Sequence, residues 1–180
     1  MMSEGTGRSL LASALTFFCV SAIALFLFSC QSPRTEVAEG LQAPILEIQD
    51  TVTGQKVNID QYKGRVLFVN FWATWCPPCR EEVPSIEVLH RELMGDGRFA
   101  LITILYKDTP KSAYDYMHAN GYTFPVYADQ DGTTSNRYKV TGVPETYLVD
   151  KKGVLRKRII GSLDWNSSEA RSFINILLLE

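Results

Sequence analysis

A chain of 180 residues, close to half of them apolar and with a formal net charge of -2, suits one compact domain carrying an appendage. Lys and Arg do not outnumber Asp and Glu, so the basic surplus that draws a protein to nucleic acid is missing and no such partner is expected. No internal repeat or low-complexity tract stands out, which argues against solenoids and arrays.

The appendage comes first. Arg8 precedes an uncharged apolar run over residues 10–28, the pattern of an export or anchoring signal. The run is long enough to cross a bilayer, so an uncleaved single-pass anchor stands beside a cleaved leader. Leu27, Phe28, Ser29 and Cys30 resemble a bacterial lipobox, whose cysteine is lipidated and becomes the first residue of the mature protein. Phe28 departs from that pattern, where a small residue is usual. Residues 1–29 are therefore read as a lipoprotein-type signal peptide or a membrane anchor, with Cys30 as the lipidation site. The polar residues 30–40, with Pro33 and Gly40, read as a tether, and residues 41–180 as the folded domain.

Within that domain, Ile45, Ile48, Val52, Val57 and Ile59 flank Thr53 and Gly54, predicting an N-terminal β-hairpin. Residues 66–71 form a nearly continuous apolar run rich in β-formers, as in a central strand covered on both faces. Val83, Ile86, Leu89 or His90, and Leu93 then follow helical spacing up to Gly95 and Gly97. Residues 99–106 read as a second buried strand, 109–119 as a helix opened by Pro110, 124–127 as a short strand and 133–138 as a short helix. Residues 146–149 and 154–160 predict an antiparallel hairpin. Asn166 with Glu169 resembles a capping box opening a last helix that buries Phe173, Ile176 and Leu177. Strands alternating with helices imply an α/β fold with a central mixed β-sheet flanked by helices.

Cysteine usage points to chemistry. With Cys19 inside the leader and Cys30 taken by lipid, Cys76 and Cys79 are the thiols left to the domain. A disulfide closing so short a loop removes little entropy from the unfolded chain, so it is poorly placed as a structural staple. At a helix start this spacing holds the Cα atoms about 5 Å apart, within the range a disulfide bridges. Pro77 suits the first helical turn, where its missing N–H has no partner to lose. Cys76 then meets the free N–H groups and dipole that favour a thiolate. Thiolate population alone supplies a small part of the rate; a preplaced Cys79 and substrate alignment supply more. A zinc or copper site is the rival reading. It needs further ligands, and His90 points away from the helix start while His118 lies on another helix, so no metal is expected.

The stretch Trp72-Ala73-Thr74-Trp75-Cys76-Pro77-Pro78-Cys79, with Val69, Asn70 and Phe71 before it and Arg80 to Pro84 after it, resembles thioredoxin-like proteins of the TlpA, ResA and CcmG type. Gly142, Val143, Pro144 and Glu145, running on to Asp150, make a second match, and the resemblance covers residues 41–180. It implies a thioredoxin-like fold with the N-terminal hairpin as an extension. In that family the proline matching Pro144 is cis and lies against the cysteines, and the residue before it, here Val143, pairs with an extended substrate. Asn70 stands where plain thioredoxin has a buried aspartate, in agreement with this subgroup. Glu82 matches a family glutamate proposed to manage the protons of the thiols; a solvated helix carboxylate is the alternative, and the expectation for Glu81. Glu145 matches an acidic residue linked with substrate choice, against a plain surface role. Trp75 is expected to shield the pair and Trp72 to join the core. Trp75, Pro77, Pro78, Val143, Pro144 and Glu145 are thus the candidate substrate-facing residues, and Cys76, Cys79 and Glu82 the catalytic ones.

The function expected is an extracytoplasmic, membrane-anchored thiol–disulfide oxidoreductase on the periplasmic side, needing no cofactor beyond its own cysteine pair. Its partners are a disulfide-bearing protein such as apocytochrome c and a membrane thiol reductant as electron donor. The reducing direction is implied by the resemblance. A peroxiredoxin-like peroxide reductase is one alternative, although such proteins place a threonine three residues before the reactive cysteine, where this chain has Ala73. A non-catalytic metal or haem chaperone is the other.

Overall fold

A computed structural model of the chain describes residues 36–180. The expected leader, Cys30 and the first part of the tether lie outside these residues. Among the described residues, no helix is long and apolar enough to cross a membrane.

Six strands, β1 Gln49–Asp50, β2 Val66–Trp72, β3 Phe99–Leu105, β4 Val126–Ala128, β5 Glu145–Val149 and β6 Leu155–Ile160, form one sheet in the order β1-β4-β3-β2-β5-β6. The pairs β2/β3 and β3/β4 are parallel and the others antiparallel, so the sheet is mixed. The apolar runs at the start of the domain become its central strands because both of their faces are covered. Phe68 and Trp72 point to one core, Val69 and Phe71 to the other, as the two-residue period of a strand requires.

Among the described residues the α-helices are α1 Pro77–Leu93, α2 Pro110–Asn120, α3 Thr133–Arg137 and α4 Ser168–Leu179. Val83, Ile86 and Leu89 of α1, Ala113 and Met117 of α2, and Ala170, Ile174 and Leu177 of α4 pack on the first face. The second face is covered by Leu46 and Ile48 of the N-terminal segment and by Tyr138 and Val140 just past the short α3. The outer edge of β6 is covered at its first residue by the junction of tether and domain: Gly40 N–H donates to the Leu155 carbonyl at 2.7 Å and Leu155 N–H to the Leu41 carbonyl at 2.8 Å.

Two local expectations change. The N-terminal hairpin shrinks to β1 and a single bridge between Gln49 and Lys56. The Asp50 carboxylate accepts the N–H groups of Val52 and Thr53, a side-chain alternative to a longer ladder, and a 3-10 turn, Ile59–Tyr62, follows. At the last helix the cap is Ser167, whose hydroxyl oxygen accepts the Ala170 N–H, while the Asn166 amide oxygen is engaged by Arg171. The buried face moves with it to Ala170, Ile174, Leu177 and Leu178, leaving Ile176 55% exposed and Phe173 partly buried. Residues 173–179 are apolar on nearly every side, so the docking sheet and not the periodicity selects the inner face.

Candidate active site

The chain leaves β2 at Trp72 and enters α1 at Pro77, and the intervening turn places Cys76 at the helix N-cap. Its sulfur accepts the Cys79 N–H at 3.2 Å. Cys76 and Cys79 form a disulfide with their Cα atoms 5.3 Å apart, the separation that one helical turn dictates. Both residues are buried, Cys79 at 0% exposure and Cys76 at 3%, and Cys76 is the one at the helix N-cap. Trp75, 56% exposed, and the exposed Pro77 and Pro78 form an apolar rim around Cys76. Trp75 is held by its indole N–H, which donates to the Lys107 carbonyl at 3.1 Å. Trp72, in contrast, is buried against Tyr116 and Phe124.

The opposite wall comes from the start of β5. Because β5 runs antiparallel to β2 with Phe71 opposite Glu145, the residues just before β5 arrive beside the cysteine turn. The Val143–Pro144 peptide there is cis, and the Val143 carbonyl oxygen lies 3.4 Å from Cys76 Sγ. The sheet thus brings together two segments that are 67 residues apart in the chain.

Behind the disulfide, Glu82 shares the buried face of α1 with Cys79 and is 2% exposed, so the solvated-carboxylate alternative does not hold for it, whereas Glu81 is exposed. The Asn70 amide donates to Glu82 Oε1 at 2.8 Å and to Thr146 Oγ1 at 2.9 Å. Burial pushes the Glu82 carboxyl up from its ordinary 4.5 to about 7, against the opposing pull of Asn70, the Leu163 N–H and, more weakly, Trp165. The Trp165 indole N–H stays outside hydrogen-bonding geometry. A carboxyl group that titrates near neutrality, one turn along from the inner cysteine, is suited to accept and return a proton.

The AhpC/TSA family model matches residues 40–158. The chain belongs to the AhpC/TSA family. It is 32% identical over 138 residues to the thioredoxin-like protein YneN of Bacillus subtilis, covering 75% of this chain and 79% of that one. Similarity to the thiol:disulfide interchange protein DsbE of Pseudomonas aeruginosa is 31% identity over 164 residues, with 87% of each chain covered. Among solved structures, a thiol:disulfide interchange protein of the thioredoxin family from Chlorobium tepidum superimposes with a TM-score of 0.67 at 24% identity, over 78% of this chain and 98% of that one. That likeness shows the fold, and the thioredoxin-like architecture read from the motifs is the one present.

Within this AhpC/TSA domain, Glu145 differs from the surface role weighed for it. It is 2% exposed, lies on the face of β5 opposite Thr146, accepts the Tyr147 hydroxyl at 2.6 Å and forms an ion pair with Arg158. Its carboxylate is committed to β6, beside Pro144 in sequence yet turned from the helix that carries the cysteines. Sequence reasoning missed Thr146, which shares the Asn70 amide with Glu82. It also missed Asp108, whose carboxylate holds Thr74. Thr146 lies within the second motif but drew no role there, and Asp108 lies in neither motif; their places follow from which strands lie side by side.

Proposed function

We propose that this chain is an extracytoplasmic thiol–disulfide oxidoreductase that uses Cys76 and Cys79 to reduce disulfides in partner proteins. The observation that carries the proposal is the placement of the bonded pair at the start of α1. Cys76 sits at the N-cap beside the exposed Trp75, Pro77 and Pro78 and against the Val143 carbonyl, while Cys79 lies within the helix on its buried face.

In the reduced protein, the Cys76 thiolate attacks one sulfur of the substrate disulfide. That bond breaks, a mixed disulfide forms and the first substrate thiolate leaves to be protonated by solvent. Glu82 takes the Cys79 proton, the Cys79 thiolate attacks Cys76 Sγ, and the second substrate thiolate leaves. Two electrons have moved from the protein to the substrate, and the Cys76–Cys79 disulfide remains. The Val143 backbone aligns an extended substrate segment during the attack, which contributes more than thiolate population does.

The physiological substrate we propose is a protein disulfide of the apocytochrome c kind, with a membrane thiol reductant restoring the dithiol and Cys30 or the apolar run anchoring the chain. The peroxide alternative lacks the hydroxyl it needs near the sulfur, because Ala73 stands at that position.

Trapping tests the proposal. Cys79→Ala should accumulate a mixed disulfide between Cys76 and its partner, whose identity then gives the substrate, whereas Cys76→Ala should trap nothing. A Cys79→Ala protein that supports full turnover without any trapped partner would overturn exchange in favour of a chaperone. Equilibration with thioredoxin tests the direction: a potential near about -120 mV, as in strong oxidases, contradicts the reductant role.

A further inference from the structure

The turn that presents Cys76 is fastened to the next strand by a side chain. The β2/β3 ladder ends with the Tyr106 N–H donating to the Trp72 carbonyl at 2.9 Å. Beyond that bond the two chains diverge, one toward Cys76 and the other toward α2. Asp108 Oδ2 spans the gap, accepting both the backbone N–H and the hydroxyl of Thr74 at 2.7 Å each. Its other oxygen, Oδ1, accepts the Thr109 N–H at 2.7 Å, and Thr109 is itself the N-cap of α2. Both oxygens are therefore committed.

The neighbouring residue makes a second, independent tie. Lys107 adopts φ 50, a conformation residues other than glycine rarely take, and its carbonyl accepts the Trp75 indole N–H at 3.1 Å. Two consecutive residues after β3 thus hold the two consecutive residues before Cys76.

We propose that Asp108 is a positioning residue for disulfide exchange: by clamping Thr74 it fixes the Trp75–Cys76 turn that forms one wall of the substrate path, without touching the reacting sulfurs. This deepens the exchange reading and rests on it. The opposite wall, the Val143 carbonyl, approaches Cys76 Sγ to 3.4 Å, so a turn free to shift by an ångström would widen the slot that an extended protein segment must enter. A small disulfide has no such segment to align and should be indifferent to the clamp.

Asp108→Ala is the test, because it removes the oxygen that accepts both Thr74 donors. An asparagine would not serve, since its amide oxygen can still accept both of them while its NH2 turns toward Thr109. We expect kcat/KM for insulin reduction to fall about tenfold, with oxidised glutathione changed less than about twofold. Removal of the charge by itself acts on Cys76 toward both substrates alike, so the ratio of the two rates reports the positioning. Iodide quenching of the exposed Trp75 should rise about twofold, since the turn is then held by the Trp75–Lys107 bond alone. Equal changes with both substrates, or unchanged quenching, overturn the inference. Should Asp108→Ala unfold, Thr74→Val removes only the hydroxyl bond and should cost about threefold with insulin alone; no selective loss is equally fatal. Failure of the wild-type protein to reduce insulin sinks the exchange reading instead, and the quenching comparison still decides the clamp.

Discussion

Glu82 is a carboxyl group whose folded environment opposes its charge. Its ordinary value of 4.5 rises to about 7 through burial, so folding favours the protonated form. Its contribution to stability is complete below about 4.5 and is lost as pH rises through about 7, a swing of about 3 kcal/mol. Glu82→Gln carries no charge at any pH. Urea denaturation should therefore find the variant more stable than wild type at pH 9 and no more stable at pH 4. Catalysis should move the other way. As a base, Glu82 acts only when ionised, so exchange by wild type should rise with pH through about 7. Stopped-flow kinetics of Glu82→Gln should show a flattened profile and a loss of about a hundredfold at the plateau. A variant with the wild-type profile would assign the proton to another acceptor.

At the scale of elements, α1 is tied down at its start and again past its middle. Its start is the disulfide turn. Further along, Glu87 accepts the N–H groups of Thr123 and Phe124, the Thr123 hydroxyl and the Arg91 guanidinium, tying α1 to the approach to β4. Burial pushes the Glu87 carboxyl up, but the bonds from Thr123, Arg91 and Phe124 outweigh it and hold the group below its ordinary value. The stability this clamp provides is present above 4.5 and is lost as pH falls, opposite in sign to Glu82. The end of the chain makes a simpler prediction. Ser167 supplies the cap of α4, so Ser167→Ala should cost about 1 kcal/mol in urea denaturation, while Asn166→Ala should cost less than half of that. The reverse ranking would restore the Asn166 cap.

For the whole molecule, β6 is one of the two edge strands of the sheet, and the start of the domain covers it in part. Gly40 and Leu41 bond to Leu155, and the Glu39 carboxylate accepts the Arg158 N–H at 3.1 Å. An uncovered edge offers unpaired backbone groups to another chain. Removing the residues up to Gln42 should let the Leu155 amide exchange with solvent many-fold faster and make light scattering depend on protein concentration. A shortened protein that stays monomeric with Leu155 protected would show that the cover is dispensable.

Much of this protein was legible from the order of its residues. The strand run at residues 66–71, the turn into a helix and the Cys76–Cys79 spacing are local features, and local sterics, hydrogen bonding and side-chain period are enough to specify them. The second motif, at Val143 and Pro144, was legible by resemblance alone. Its contact with Cys76 belongs to the sheet, because the antiparallel register of β5 against β2 carries it there. The same holds for the burial that lifts the Glu82 carboxyl, for Glu145 turned onto Arg158, and for Asp108 reaching Thr74. Each depends on which strand lies beside which and which face is covered, and those are settled by packing between segments far apart in the chain. The sequence by itself determined the reacting pair and the elements that carry it; the tertiary structure decided which distant segments close around that pair and where the neighbouring Glu82 gives up its proton, because both depend on packing between strands far apart in the chain.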